Sequence, residues 1–242
     1  MRTKYKSAIE KLLKYRNELL EKDNINTDTD IFSYPLSFVL CCIADKNVDA
    51  NIAWGIHNHI KFYSFEDISK FDKNAWEKIL TKTEYNRPYK LAKEYVLAID
   101  LIKKKYNGQV EKIWTESTSY SEIIAKLLEF QGVGVKIATM ATNLLKRHFD
   151  VGKNFNDECF MDISPDTHVR QVFRKLGFID NNIDNPAKEK NIIVYTARAL
   201  NPKAPYLLDY PCFMIGKEFC KKKGKKKCSE CPVSDCCQNR EN

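Results

Sequence analysis

Apolar residues recur every three or four positions along most of this chain, which is the spacing of one helix face. In residues 5–21 the residues at this spacing include Ile9, Leu12 and Leu19, and Pro35 opens the almost wholly apolar segment PLSFVLCCIA, typical of a buried helix. Similar patterns predict further helices at about 49–60, 88–105, 119–130, 135–149, 166–176 and 187–199. Only short runs such as WGIHNHIKFY compete as strands. The sequence therefore predicts an all-α fold.

Length and composition are those of a globular protein. The 242 residues, 43% of them hydrophobic, can form one large domain or two small ones with a proper core. No apolar run approaches the ~18 residues of a membrane span, and the N-terminal MRTKYKSAIEKLLKYRNELLEK lacks the apolar core of a signal peptide. We therefore expect a cytoplasmic protein.

The chain is basic, with 40 Lys and Arg residues against 32 Asp and Glu residues and a net charge of +8. Such a balance favours a polyanionic partner, although it is also common among proteins without one. Most of the excess lies in one low-complexity segment, KKKGKKK at 221–227. A lysine run of this kind is common in solvated loops and tails, so charge alone does not identify the partner.

The nine cysteines are unevenly distributed. Cys41, Cys42 and Cys159 are scattered, whereas six fall in the last 31 residues. These six are Cys212, Cys220, Cys228, Cys231, Cys236 and Cys237. In a reducing compartment such crowding indicates metal ligation rather than disulfides.

The segment FQGVGVKIA, which runs from Phe130 to Ala138, places two of only eight glycines around one valine between two predicted helices. Ser119 and Glu122 have capping-box spacing at the start of the first helix, and Ile137 begins the inner face of the second. Glycine permits positive φ and close backbone approach, while the second helix offers unpaired N–H groups and a positive dipole end. Such a turn suits a phosphate, and a tight corner between two helices is the alternative.

A second segment, DISPDTHVRQVFRKLGF, begins less than thirty residues after Lys136. Asp166 follows Pro165 at the start of a helical pattern that stops at Gly177. A lone aspartate at such a position is most often an N-cap, and His168 is more often a structural histidine than a ligand.

Taken together, GVGVK, PDTHV and the terminal cysteines resemble the helix-hairpin-helix (HhH-GPD) DNA glycosylases, most closely the endonuclease III family. That family has a hairpin of the form LPGVGxKxA, a VDTHxxR segment about 30 residues later, and four C-terminal cysteines that bind a four-iron four-sulfur (4Fe-4S) cluster. The likeness is specific over about 120–178 and 212–237. It is weaker but collinear before that, where EYNRPYKLA is similar to a helix of the same fold.

The resemblance implies two helical lobes with double-stranded DNA between them. One is a six-helix barrel at 35–150, and the other combines 1–34 with 151–242 and carries the cluster loop at 212–237. Lys136 would stand on the barrel side and Asp166 on the other. The turn formed by Gly132, Val133 and Gly134 would contact the DNA, and the protein would act as a monomer.

The resemblance also implies base excision repair. Breaking an N-glycosidic bond develops positive charge on the sugar, which a carboxylate such as Asp166 stabilises while a nucleophile takes C1′. A lysine amine attacks only when neutral, a form that a positive helix end and partial desolvation favour for Lys136. Because family members that use water usually lack this lysine, we expect a bifunctional glycosylase and AP lyase acting through a Lys136 Schiff base. A monofunctional glycosylase and a non-catalytic iron-sulfur DNA-binding protein are the alternatives.

The resemblance assigns the 4Fe-4S cluster to four cysteines, Cys220, Cys228, Cys231 and Cys237. They are separated by seven, two and five residues, where the family usually has six, two and five. Cys212 or Cys236 could replace one of them. Four thiolates would also suit zinc, but the closing CxxCPxxxxC favours iron-sulfur.

Between two of these cysteines the lysine run becomes a fixed positive surface. We therefore expect phosphate contacts from its six lysines. These are Lys221, Lys222, Lys223, Lys225, Lys226 and Lys227.

The identity of the damaged base does not follow from the resemblance. The family has a glutamine that fills the gap left by the flipped base, and here the corresponding stretch reads IADKNVD, with Asp45, Lys46 and Asn47 as candidate replacements. Gln131 stands where the hairpin usually has proline. Oxidised pyrimidine is the default substrate, while uracil or thymine mismatches, oxidised purine and an abasic site alone stay open.

Overall fold

The computed structural model describes residues 3–25, 30–46, 48–220 and 227–238. Within these ranges the chain forms α-helices and short 3₁₀ turns and contains no strand, so the predicted all-α class is confirmed. The 3₁₀ turns are Asp30–Ser33, Glu158–Phe160, Pro205–Leu208, Cys228–Glu230 and Ser234–Cys236. No helix in this part of the chain combines the length and the apolar character needed to cross a membrane.

The chain divides into two compact units, with boundaries between Thr27 and Asp28 and between Phe155 and Asn156. We call the segment between these boundaries the central unit, and the chain before and after it the terminal unit. The glycosylase lobes expected at 35–150 and at 1–34 with 151–242 have somewhat different boundaries, and their roles around DNA stay a prediction.

The central unit is built around one helix that is buried along most of its length. Its helices are α2 Pro35–Ala44, α3 Ala50–Gly55, α4 His57–Ile60, α5 Phe65–Ile68, α6 Lys73–Lys82, α7 Pro88–Tyr106, α8 Lys112–Thr115, α9 Tyr120–Leu128 and α10 Val135–His148. Every residue of α2 from Ser37 to Ala44 is buried, as its apolar sequence predicted. Two buried tyrosines secure it, because Tyr95 donates its hydroxyl to the Leu40 carbonyl at 2.8 Å and Tyr85 donates to that of Ala44 at 2.9 Å.

Two sequence expectations for this unit need correction. The helix expected at 49–60 is interrupted at Ile56, and most of the run that competed as a strand lies in α3 and α4. At the start of α9, Ser119 accepts the Glu122 N–H as predicted. The Glu122 carboxylate, however, accepts from the N–H of Thr118 rather than from that of Ser119, so the reciprocal half of the capping box is displaced by one residue.

The terminal unit contains α1 Lys6–Ile25, α11 Thr167–Lys175, α12 Pro186–Leu200 and α13 Asp209–Glu218. Its core is formed by residues from all four helices, including Leu12, Phe173, Ile193 and Ile215. Gly216 lets α13 approach α11 closely, because a Cβ there would lie 2.8 Å from the His168 Cα and 2.7 Å from its carbonyl oxygen. This close packing fixes the first turn of α11, where Asp166 lies.

Candidate functional site

The GVG segment forms the predicted turn between two helices. Gly132 has φ +86°, a conformation that favours glycine, and the Val133 N–H donates to the Phe130 carbonyl at 3.0 Å. Gly134 then caps α10 with extended backbone and no side-chain capping bond. The structure thus confirms the local geometry of the hairpin.

The two glycines of the turn have different surroundings. A Cβ on Gly132 would lie 2.7 Å from Glu94 Oε1, whereas a Cβ on Gly134 would meet no atom within 4 Å. Among the described residues, the N–H groups of Gly134 and Val135 have no hydrogen-bond acceptor. The turn is therefore closed beneath Gly132 and open beside Gly134, where two amides are available to an anion.

Lys136 is the second residue of α10 and is half-buried. Burial raises the pKa of the Cys42 thiol in α2 well above its ordinary value, and the Lys136 charge partly opposes that rise. The Lys136 charge is thus near enough to α2 to influence a buried thiol, and Lys136 lies on the first turn of a helix whose preceding amides are open.

Asp166 is the N-cap of α11, the role that its sequence position predicted for a lone aspartate. Its Oδ1 accepts the N–H groups of His168 and Val169 at 2.9 and 2.8 Å. The segment leading to it is held by Asp209, whose carboxylate accepts the Ser164 N–H at 2.7 Å. Lys136 belongs to the central unit and Asp166 to the terminal unit. A shared pocket for them therefore stays a prediction.

Three of the four cysteines expected to ligate the cluster influence the pKa of the fourth, Cys231. Burial raises the pKa of Cys231 to about 11, and the charges of Cys220, Cys237 and Cys228 add to that rise. The two alternative ligands have other neighbours. Burial raises the pKa of Cys212 with added contributions from Asp209 and Asp166, and the Cys236 Sγ is 3.7 Å from the Ser7 Oγ.

Four thiols are the donor set that both iron-sulfur clusters and structural zinc use, so the chemistry of these residues fits either group. In residues 3–25, 30–46, 48–220 and 227–238, no three His, Cys, Asp or Glu side chains are grouped so that they could hold a single metal ion. The cluster and its ligand set stay predictions.

Most of the lysine run lies outside the described residues. Lys221, Lys222, Lys223, Lys225 and Lys226 are not described, and the phosphate contacts predicted for them are untested. Lys227 is exposed, and its backbone N–H donates to the Phe219 carbonyl at 3.1 Å.

The candidates for filling a flipped-base gap are engaged within the central unit or lie outside the described residues. The Asp45 carboxylate accepts from the Trp54 indole at 3.4 Å, and the Lys46 Nζ lies 2.5 Å from Glu94 Oε2. Asn47 is not described. Sequence reasoning missed Glu94, although a glutamate beside Tyr95 on the apolar face of α7 was a readable signal for a buried charge with a partner.

No family model and no curated protein matches this chain. Solved structures do. A thermostable thymine-DNA glycosylase aligns with a TM-score of 0.63 and 16% identity, over 96% of this chain and 97% of that one. Endonuclease III, in a trapped covalent complex with DNA, aligns with a TM-score of 0.59 and 17% identity, over 90% of this chain and 95% of that one.

The 8-oxoguanine glycosylase/lyase of Methanocaldococcus jannaschii, bound to DNA containing 8-oxoguanine, aligns with a TM-score of 0.56 and 16% identity, over 84% of this chain and 96% of that one. All three proteins are members of one superfamily, and at identities this low their alignments establish the fold alone. The chain therefore has the fold of the helix-hairpin-helix (HhH-GPD) DNA glycosylases, the superfamily that its hairpin, its PDTHV segment and its terminal cysteines predicted.

Proposed function

We propose that this protein is a base excision repair DNA glycosylase with an associated AP lyase activity. The observation that carries the proposal is the position of Lys136, on the first turn of a helix that begins at a glycine turn with two open amides. On the glycosylase fold, this arrangement combines a phosphate site with a nucleophile. The endonuclease III structure, a trapped covalent intermediate with DNA, belongs to a protein of the same fold.

In the proposed reaction the neutral Lys136 amine forms a bond to C1′ of the damaged nucleotide as the N-glycosidic bond breaks. The bonding electron pair leaves with the base, which takes up a proton. Opening of the sugar ring then gives an imine between Nζ and C1′. Loss of a C2′ proton leaves its electron pair to form a C2′–C3′ double bond, and the C3′–O bonding pair departs with the 3′ phosphate by β-elimination. Water finally hydrolyses the imine and restores the lysine.

Asp166 would stabilise the positive charge that develops on the sugar. Capping of α11 uses only Oδ1. The second carboxylate oxygen is then free to face a substrate, so the two roles are compatible.

The partner in this proposal is duplex DNA with a damaged or abasic nucleotide. The hairpin at Gly132, Val133 and Gly134 would bind one phosphate, and the lysine run at 221–227 would bind others. Oxidised pyrimidine is the default base. A mismatched thymine is a second candidate, because the thymine-DNA glycosylase aligns with almost the whole chain. We expect the protein to act as a monomer in the cytoplasm.

A 4Fe-4S cluster is the proposed cofactor, with Cys220, Cys228, Cys231 and Cys237 as its ligands. Support comes from the spacing of these cysteines in the sequence, from the influence of Cys220, Cys228 and Cys237 on the pKa of Cys231, and from the different neighbours of Cys212 and Cys236. When bound, the cluster would stabilise the fold of the C-terminal segment, and the reaction needs no chemistry from it.

The test is borohydride trapping on a panel of duplexes that carry one oxidised pyrimidine, one oxidised purine, a uracil or thymine mismatch, or an abasic site. We expect a covalent protein-DNA adduct on the abasic duplex and on the preferred lesion. Lys136→Gln should abolish both adduct and strand cleavage while largely retaining DNA binding. Lys82→Gln, which changes an exposed lysine of α6, is the matched control and should behave as wild type.

Three outcomes would contradict parts of this proposal. An adduct with Lys136→Gln would assign the nucleophile to another amine. Base removal without any adduct in the wild-type protein would indicate a monofunctional glycosylase, and binding without base removal or cleavage on any duplex would indicate a non-catalytic DNA-binding protein.

A further inference from the structure

Glu94 is a buried carboxylate on a helix face that is otherwise apolar. Its side chain is 5% exposed, and its α7 neighbours Leu91, Tyr95 and Ala98 are buried as well. A charge in such a position is costly unless a partner compensates it. The partner is Lys46, whose Nζ lies 2.5 Å from Glu94 Oε2.

The same lysine also holds the hairpin. Its Nζ lies 3.3 Å from the Gly132 carbonyl oxygen. A side chain at Gly132 would collide with both members of the ion pair. The left-handed conformation favours glycine at 132, and a side chain there would also have to displace the ends of Lys46 and Glu94. The Lys46–Glu94 pair therefore fills the closed side of the turn.

The end of α2 connects this ion pair to the region of Lys136. Lys46 follows Cys42 by four residues, and Cys42 is the buried thiol whose pKa the Lys136 charge influences. Helix α2 packs against α10, and the residue two places beyond its end, Lys46, contacts the turn that precedes α10.

We propose that Lys46 is a positioning residue for the hairpin. With its charge balanced by Glu94, it holds the Gly132 carbonyl and thereby keeps the Gly134 and Val135 amides directed towards a DNA phosphate. This inference rests on the proposed binding of DNA by the hairpin. It gives Lys46 a task other than filling the gap left by a flipped base, because its amine is engaged inside the central unit.

The test measures the dissociation constant for a duplex with a stable abasic-site analogue, at one salt concentration and with Lys136→Gln as the parent, so that no chemistry intervenes. Lys46→Met should weaken binding about tenfold, the loss expected for one charged hydrogen-bonded contact. Lys46→Arg, which retains the charge and the donors, should restore most of the affinity. Lys105→Met also removes one lysine charge, from an exposed pair with Glu129, and should change affinity less than about twofold.

Because Lys46→Met leaves Glu94 buried without a partner, the double variant Lys46→Met/Glu94→Met tests the same contact without an orphaned charge. It should retain the fold, followed by thermal unfolding, and still bind about tenfold more weakly. Gly132→Ala and Lys46→Met together form a double-mutant cycle. If Lys46 acts through the turn, adding Lys46→Met to Gly132→Ala should weaken binding by less than about threefold.

An unchanged affinity in the folded double variant would overturn the positioning role, as would full additivity with Gly132→Ala. Failure of the proposed function has a different readout, because wild-type protein would then form no borohydride adduct. Adduct formation by the wild type together with unchanged affinity of the Lys46 variants would overturn this inference alone.

Discussion

Asp166 uses only one of its two carboxylate oxygens to cap α11. Oδ1 accepts two backbone N–H groups, and among the described residues Oδ2 accepts no hydrogen bond. A side-chain cap of this kind contributes about 1 kcal/mol to stability. An asparagine can make the same cap through its amide oxygen, but it carries no charge. Capping and stabilisation of a sugar cation can therefore be separated at this one residue.

We expect Asp166→Asn to retain the melting temperature while base removal falls at least about a hundredfold, the loss typical of removing one charge-stabilising group. Cleavage at an existing abasic site should fall less, because no glycosidic bond has to break there. Single-turnover rates on a confirmed lesion and on an abasic duplex measure the two steps. Asp166→Ala is the companion variant and should also lose the cap. Base removal near the wild-type rate in Asp166→Asn would leave the aspartate with capping as its only task.

At the scale of helices, Glu189 joins α12 to α11. Its side chain is fully buried, and its two oxygens accept from the Nε atoms of Arg170 and Arg174 at 2.6 Å each. Both arginines come from α11, the helix that Asp166 caps. This carboxylate therefore fixes the orientation of α11 through two charged hydrogen bonds on its inner side.

Glu189→Gln should lower the free energy of unfolding by about 3 kcal/mol, since it leaves two partly buried arginines without their countercharge. The value lies at the low end for a broken buried pair because both guanidinium groups retain contact with water. Urea unfolding measures it. The control Glu129→Gln breaks an exposed pair with Lys105 and should cost less than about 1 kcal/mol. Equal stability of the two variants would show that the Glu189 hydrogen bonds to α11 do not stabilise the fold.

Local sequence signals predicted those helices whose ends carry their own capping or breaking residues. Pro88 begins α7 and Gly134 caps α10, and both helices lie within a residue or two of the expected bounds. No helix was predicted over α6 or α13. In α13 the buried positions include Pro211 and Gly216, two residue types that usually break helices. Pro211 is tolerated because it lies in the first turn, where the backbone N–H has no partner within the helix, and Gly216 is tolerated because α13 packs closely against His168 of α11.

In the candidate site, too, the sequence identified only residues that lie next to a local signal. Lys136 and Asp166 were identified because each follows a glycine or proline signal within a few residues along the chain. The pair of Lys46 and Glu94 joins positions 48 residues apart. A lysine in a polar loop reads as solvated, and only the packing of α2, α7 and the hairpin places its amine beside a buried carboxylate.

At the scale of the whole molecule, the C-terminal segment that contains Cys220 to Cys237 is attached to two helices far apart in the sequence, α1 and α11. Lys11 of α1 pairs with Asp235, the Gln171 amide of α11 donates to the Cys220 carbonyl at 2.6 Å, and the Gln238 N–H donates to the Lys175 carbonyl at 2.8 Å. The segment thus ties α1 to α11 within the terminal unit. Loss of its internal order would loosen the helix that carries Asp166.

The proposed cluster makes this attachment depend on metal. Protein purified without oxygen should contain about four irons and four sulfides per chain, and stoichiometric zinc without iron would contradict the assignment. Cys231→Ser should lose the iron and unfold the terminal unit at a lower temperature, because ligation and folding are coupled. Cys236→Ser is the matched control, since its thiol lies beside Ser7 of α1, and it should keep the iron. Iron loss in Cys236→Ser but not in Cys237→Ser would mean that Cys236, and not Cys237, is the fourth ligand.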